Sequence, residues 1–244
     1  MRSVFLSAGH SNRPGRDRGA AGNGYIEGEL AVEFRNILKN ELEILGIKPI
    51  LDKDDSILSE SVAFFKNKTQ SNSIVIDIHW NAATPTATGT ETLIPSNDSE
   101  VERSLAKEIS DCISTTLGIP LRGNYKGLKG VRSEAESHHG RLGWMRLNGE
   151  NVLLEVCFIT NKNDMDKYQT NKHTLIKKIA KIIHDKCMDK PSTPIIERSK
   201  YTVQRGDSLS KISVNFGVSI DDIKKWNTLK SDTIQIGQVL IVSK

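Results

Sequence analysis

The run Ile74-Val75-Ile76-Asp77-Ile78, followed at once by His79, decides the fold. Four β-branched apolar residues around a single acid read as a strand buried on both faces, the kind found in parallel sheets covered by helices. Val4-Phe5-Leu6 is a second such strand, ending in Ser7-Ala8-Gly9-His10. Between them Leu30, Phe34, Ile37, Leu38, Leu42 and Leu45 recur at helical spacing, and Gly46 stands where a helix stops. Ile47 to Leu51 reads as a strand, about 59–70 as a helix, 89–94 as a strand and about 99–117 as a helix. Residues 118–149 are loop-rich. Val152 to Val156 is an apolar strand interrupted only by Glu155, and Leu175, Ile176, Ile179, Ile182 and Ile183 mark a closing amphipathic helix. Strands alternating with helices predict an α/β fold, with a mostly parallel twisted sheet flanked by helices on both faces.

The composition shifts at Asp189. Asp-Lys-Pro-Ser-Thr-Pro reads as a linker over 189–199. A compact unit follows at 200–244. Tyr201-Thr202-Val203 and Val239 to Val242 form its strands, with helical patterns over 209–216 and 220–226 between them. That gives a small βααβ domain behind a larger one at 1–188.

A net charge of +4 in 244 residues, with no run of Lys and Arg, gives no reason to expect a nucleic-acid partner and would suit an anionic polymer. No apolar stretch approaches the roughly 20 residues that a membrane helix needs, so no membrane insertion is expected. The apolar part of MRSVFLSAGH is too short for a signal peptide core, which predicts synthesis in the cytoplasm. The three cysteines, Cys112, Cys157 and Cys187, include no C-x-x-C pair and read as non-catalytic thiols, Cys157 buried.

The chemistry gathers at strand ends. His10 and His79 each follow a strand directly, and in parallel sheets ligands collect at carboxyl ends. Glu27 shares a helix face with Leu30 and Phe34, so its carboxylate is directed inward and requires a positive partner. Two His and one Glu make a donor set for a catalytic Zn2+ that keeps an open position for water. Glu155, the one charge in an apolar strand, is then the candidate general base. His138 and His139 read as exposed loop residues, with substrate contact as the alternative. No role falls to His173 or His184.

These stretches resemble the zinc-dependent N-acetylmuramoyl-L-alanine amidases of the Amidase_3 type. The matching pieces are Ser7 to His10, Gly19–Gly22 leading to Glu27, Ile76 to Ala82, Gly89 to Thr92, and Leu153 to Asn161 followed by Asp164. The resemblance implies that His10, Glu27 and His79 bind zinc, that Glu155 is catalytic, and that Asn81 and Arg146 serve substrate binding. The chain departs from the family at Cys157, where Gly is usual, at Asp77, where Ser is frequent, and at Asp52-Lys53, where Thr-Arg is common. Tyr201 to Leu209, Asn227, Ile234 to Gln238 and Leu240 to Val242 are similar to a LysM domain. That likeness places a glycan groove at Gly206, Asp207, Ser208, Ile234 and Gln235. The implied partner is peptidoglycan, cut between N-acetylmuramic acid and L-alanine by a monomeric enzyme. The lack of a signal peptide favours a phage endolysin that acts on the cell wall. The alternatives are a zinc peptidase cutting within the stem peptide and a non-catalytic peptidoglycan-binding protein.

Overall fold

The computed structural model describes residues 2–137, 142–188, 200–216, 218–227 and 229–242. The chain divides into two compact units, Met1–Pro191 and Ser192–Lys244.

The first unit opens with β1 (Val4–Ser7), followed by a short hairpin of β2 (Ala21–Gly22) and β3 (Tyr25–Ile26) that delivers the chain into α1 (Glu27–Ile44). Then come β4 (Ile50–Leu51), α2 (Leu58–Lys66), β5 (Ile74–Asn81), β6 (Glu91–Ile94) and α3 (Glu100–Leu117). A second hairpin, β7 (Asn124–Tyr125) and β8 (Leu128–Lys129), leads to β9 (Val131–Ser133), β10 (Glu150–Phe158) and α4 (Lys162–Cys187). One six-stranded sheet runs in the order β4-β1-β5-β10-β6-β9. Its first four strands are parallel, whereas β6 is antiparallel to β10 and carries β9 parallel to itself at the edge.

The strand alternation splits the core. Leu6, Ile76, Ile78, Val152 and Leu154 face Phe34, Leu38, Ile109 and Ile179 from α1, α3 and α4. Phe5, Val75, Leu93 and Leu153 face the other way, onto Phe65 of α2 and onto Trp144 and Met145. Each such large apolar side chain removed from water stabilises the fold by roughly 1.5–3 kcal/mol. The odd-numbered residues of β5 therefore leave the second core at Val75 and continue as Asp77, His79 and Asn81. That face becomes the site.

Helix ends are set by side chains. Ser99 caps α3, its hydroxyl accepting from the Glu102 amide at 3.0 Å while Glu102 accepts from the Ser99 amide at 2.7 Å. Glu102 also accepts from the Asn151 amide, tying α3 to β10. Asn161 caps α4 through the Asp164 amide. Asp164 is fully buried and accepts from Thr88 Oγ1, the Gly89 amide and the Phe158 amide, which joins the approach to β6 to the end of β10.

Three local expectations shift. α2 ends at Lys66 rather than near 70, because the Lys68 and Thr69 amides turn back onto the Phe65 carbonyl. Ile47 is buried but precedes the two-residue β4. The 118–149 stretch holds β7, β8, β9 and two 3-10 turns, too short to show a periodicity.

In the second unit β11 (Lys200–Thr202) pairs antiparallel with β12 (Val239–Ile241), around α5 (Leu209–Phe216) and α6 (Ile220–Trp226). Val203, Leu209, Ile212, Ile223, Leu240 and Val242 form its core. Asn227 fastens α6 to β12, donating to the Ile241 carbonyl and accepting from the Ile241 amide. Among the described residues no helix is long and apolar enough to cross a membrane.

Candidate metal centre

His10, Glu27 and His79 converge, one donor atom from each lying within 4.8 Å of the other two. Glu27 Oε1 is 3.0 Å from His79 Nδ1 and 3.5 Å from His10 Nε2. Ligands about 2.0–2.1 Å from a tetrahedral ion stand about 3.3 Å apart, so the Glu27–His79 and Glu27–His10 separations are those of ligands sharing one such ion.

The carboxylate is immobilised. Glu27 is 4% exposed. Its Oε1 accepts from the Trp80 amide at 3.0 Å and its Oε2 from the Ala20 amide at 2.8 Å. Burial raises its pKa, but the His79 hydrogen bond and the charges of His79 and His10 outweigh burial and hold it below the ordinary value. His79 is fixed from its far side, where Nε2 lies 3.0 Å from Asp77 Oδ2. Asp77 has 0% exposure and accepts the Gly9 amide on Oδ1 at 3.0 Å. Although burial opposes a charge on His79, the two carboxylates raise its pKa well above the ordinary histidine value. His10 Nδ1 lies 3.2 Å from Asp17 Oδ1 without hydrogen-bond alignment, which leaves Nε2 to face Glu27.

Two glycines let the backbone come this close. Gly9 has φ +47°, and a Cβ there would lie 2.6 Å from His79 Nε2. Gly19 has φ +70°, and its Cβ would lie 2.4 Å from Glu27 Oε2 and 2.6 Å from His10 Cδ2.

Glu155 sits in register with His79 on one side and with Glu91 on the other, at a register shift of β10. Such bulges re-aim side chains beside sites. Its Oε2 is buried with no partner among the described residues. Burial raises its pKa to about 8; the nearby Glu27, Glu91 and Asp77 push the same way and His79 opposes.

Asn81, on the same face, donates to Glu91 Oε1 at 3.0 Å. Arg146 binds buried Glu134, which follows the Ser133 end of β9, at 2.8 Å, with its side chain 45% exposed. Arg132 is the arginine tied into the row, its Nε donating to Glu91 Oε2 at 2.7 Å. Sequence reasoning assigned no role to Asp77, Glu91 or Arg132, although the alternation 77, 79, 81 on one strand carried a signal for Asp77. His138 and His139 lie outside the described residues, as does the 189–199 linker.

In the second unit Gly206 turns the chain at φ +89°. Asp207 Oδ2 accepts from Tyr201 Oη and the Gln204 amide, both at 2.7 Å, and Ser208 Oγ accepts from the Lys211 amide at the start of α5. These residues build the turn. Gln235 is exposed, and Ile234 packs against the small core.

Comparison with known proteins places this geometry. The family described as N-acetylmuramoyl-L-alanine amidase (Amidase_3) matches residues 4–185, and the LysM domain family matches residues 201–243. The uncharacterized protein YqiI of Bacillus subtilis is 29% identical over 168 residues, which are 68% of this chain and 74% of YqiI. The N-acetylmuramoyl-L-alanine amidase LytC of Bacillus subtilis is 26% identical over 186 residues, 75% of this chain and only 34% of LytC. A solved Neisseria meningitidis structure, assigned as an N-acetylmuramoyl-L-alanine amidase, superposes with a TM-score of 0.59 at 27% identity, covering 75% of this chain and 93% of that one.

Proposed function

Because the chain belongs to the Amidase_3 family of N-acetylmuramoyl-L-alanine amidases and carries a LysM domain behind that unit, we propose that it is a zinc-dependent amidase cutting peptidoglycan between N-acetylmuramic acid and L-alanine. The observation that carries this reading is the convergence of His10, Glu27 and His79 beside the unpartnered carboxyl of Glu155. His10, Glu27 and His79 would hold the ion. When bound, Zn2+ supplies Lewis acidity to the scissile carbonyl and to the attacking water. Glu155 takes a proton from that water and returns it to the departing amine nitrogen. Asn81, held by Glu91, and Arg146, bonded to Glu134, would serve substrate binding. The test is digestion of purified peptidoglycan with and without chelator, with the new ends assigned by mass spectrometry. Chelation is expected to abolish release and zinc to restore it. Undiminished activity after complete zinc removal would overturn the metal role, and ends inside the stem peptide would move the reading to a peptidase.

Asp77 belongs to the same proposal. By accepting from Nε2 it leaves Nδ1 of His79 free for the ion, and partners of this kind are typically worth about 10–100-fold in metal affinity. Asp77→Ala is expected to weaken zinc binding by that factor in a competition titration, and unchanged affinity would remove the assignment.

The 200–244 unit would hold the enzyme on glycan strands through Gly206 to Ser208 and Ile234–Gln235, with 189–199 as the linker between domains. Tethering raises local substrate concentration without new contacts at the catalytic centre. Deletion from Pro191 onward is expected to reduce co-sedimentation with walls several-fold while zinc content stays the same. Full binding by the truncated protein would contradict it. Deployment as a monomeric phage endolysin is the accompanying reading, supported by the pairing of a wall-cutting and a wall-binding unit; lysis of bacteria by protein added from outside tests it.

A further inference from the structure

We infer that Arg132 is a substrate-reading residue that binds a carboxylate on the peptide side of the scissile bond, and this inference rests on the amidase reading above. Arg132 sits in the edge strand β9, opposite Leu93 of β6, which is itself opposite Leu153 of β10. It is therefore two strands across and two residues down from Glu155, about 12 Å between Cα atoms by sheet spacing. Its side chain does not point away. It reaches back to the Glu155 end, where its Nε donates to Glu91 Oε2 at 2.7 Å.

Glu91 is buried and spent on both oxygens, with Asn81 Nδ2 on Oε1 and Arg132 on Oε2. The guanidinium is thus locked by its inner nitrogen. The side chain remains 29% exposed, and neither terminal nitrogen bonds to any described residue. An arginine held by Nε keeps the parallel N–H groups of its two terminal nitrogens for a second partner, the geometry that pairs bidentately with a carboxylate. Glu91 is the positioning residue.

Length and charge fit the assignment. From the departing amine, the carboxylate of the residue after alanine lies two residues along an extended chain, about 7 Å. The roughly 12 Å between the Glu155 and Arg132 Cα atoms by sheet spacing leaves about 5 Å for the two side chains to cover. Asp77, Glu91 and Glu155 share this face, and an anionic substrate would be repelled along the row unless a cation met it.

The test uses two synthetic muramoyl-pentapeptide disaccharides that differ only at the residue after alanine, one with a free carboxylate and one with its carboxamide. Wild-type protein is expected to favour the carboxylate about 10–100-fold in kcat/KM, mainly through KM. Arg132→Gln is expected to erase the preference, cutting both substrates as wild type cuts the amide, with kcat changed less than about threefold. Arg132→Lys should keep part of the preference. Equal cleavage of the two substrates by wild type would overturn the inference, and needs no variant to fold. An equal loss on both in Arg132→Gln would reduce Arg132 to a structural partner of Glu91 and also overturn it. Failure of wild type to cut either substrate would overturn the amidase reading and this inference with it.

Discussion

Glu155→Gln is expected to lower peptidoglycan amide hydrolysis by about 10²–10⁴-fold, the usual weight of a positioned proton-transfer group, with zinc content unchanged. Gln keeps the shape and removes the base. The same variant has a second readout that does not involve catalysis. In the metal-free protein the Glu155 pKa is raised from 4.5 to about 8, chiefly by burial and further by Glu27, Glu91 and Asp77. Between those values the folded state binds a proton that the unfolded state has lost, so stability falls as pH rises from about 4.5 to about 8. At pH 8 the wild type has lost up to about 5 kcal/mol on this account. Glu155→Gln is exempt, so in chelator it should gain stability relative to wild type between pH 5 and pH 8 by urea unfolding. A difference that does not change with pH, or activity that persists in the variant, would remove Glu155 from its assigned role.

Gly19→Ala is expected to empty the centre. The added Cβ meets Glu27 Oε2 at 2.4 Å and His10 Cδ2 at 2.6 Å, and it also forces a left-handed φ of +70° on an L residue. Two donor side chains must shift, and displacements of about 1 Å at a reacting centre can cost about 10²-fold. A loss of that order in both zinc affinity and activity is expected. Gly15→Ala is the control, because Gly15 shares the left-handed backbone at φ +83° with nothing within 4 Å. It bears the strain, about 1–2 kcal/mol, without the clash. Normal zinc uptake by Gly19→Ala, or equal damage in Gly15→Ala, would show that the close approach is unimportant.

Much of this was legible along the chain. His10 and His79 stood at strand ends, Glu27 on a helix face with Leu30 and Phe34, and Glu155 alone in an apolar strand. Each of these signals lies within a few residues of its neighbours. What stayed hidden depends on partners far apart in sequence. Asp77 acquires its purpose from Gly9, 68 residues away, and from the neighbouring His79. Glu91 acquires its own from Arg132, 41 residues on. Arg146, read from its position before a strand, bonds to Glu134, which no local pattern announced, and Arg132 lay in a three-residue strand with no periodicity to mark it. The antiparallel turn of β6 and β9 was equally silent, since four-residue and three-residue strands carry no sign of direction.

Asp164 draws three donors from two separate segments onto one buried carboxylate. Strand ends ordinarily fray, and a centre built on them would have to be ordered each time a ligand arrived. Here the ends that carry Glu155 and Glu91 are stapled from behind by a group that touches neither. The strand ends beside Glu91 and Glu155 are therefore braced by hydrogen bonds that none of His10, Glu27 and His79 supplies. Were an ion held by His10, Glu27 and His79, the strand ends that carry the proposed base would not depend on it for their order.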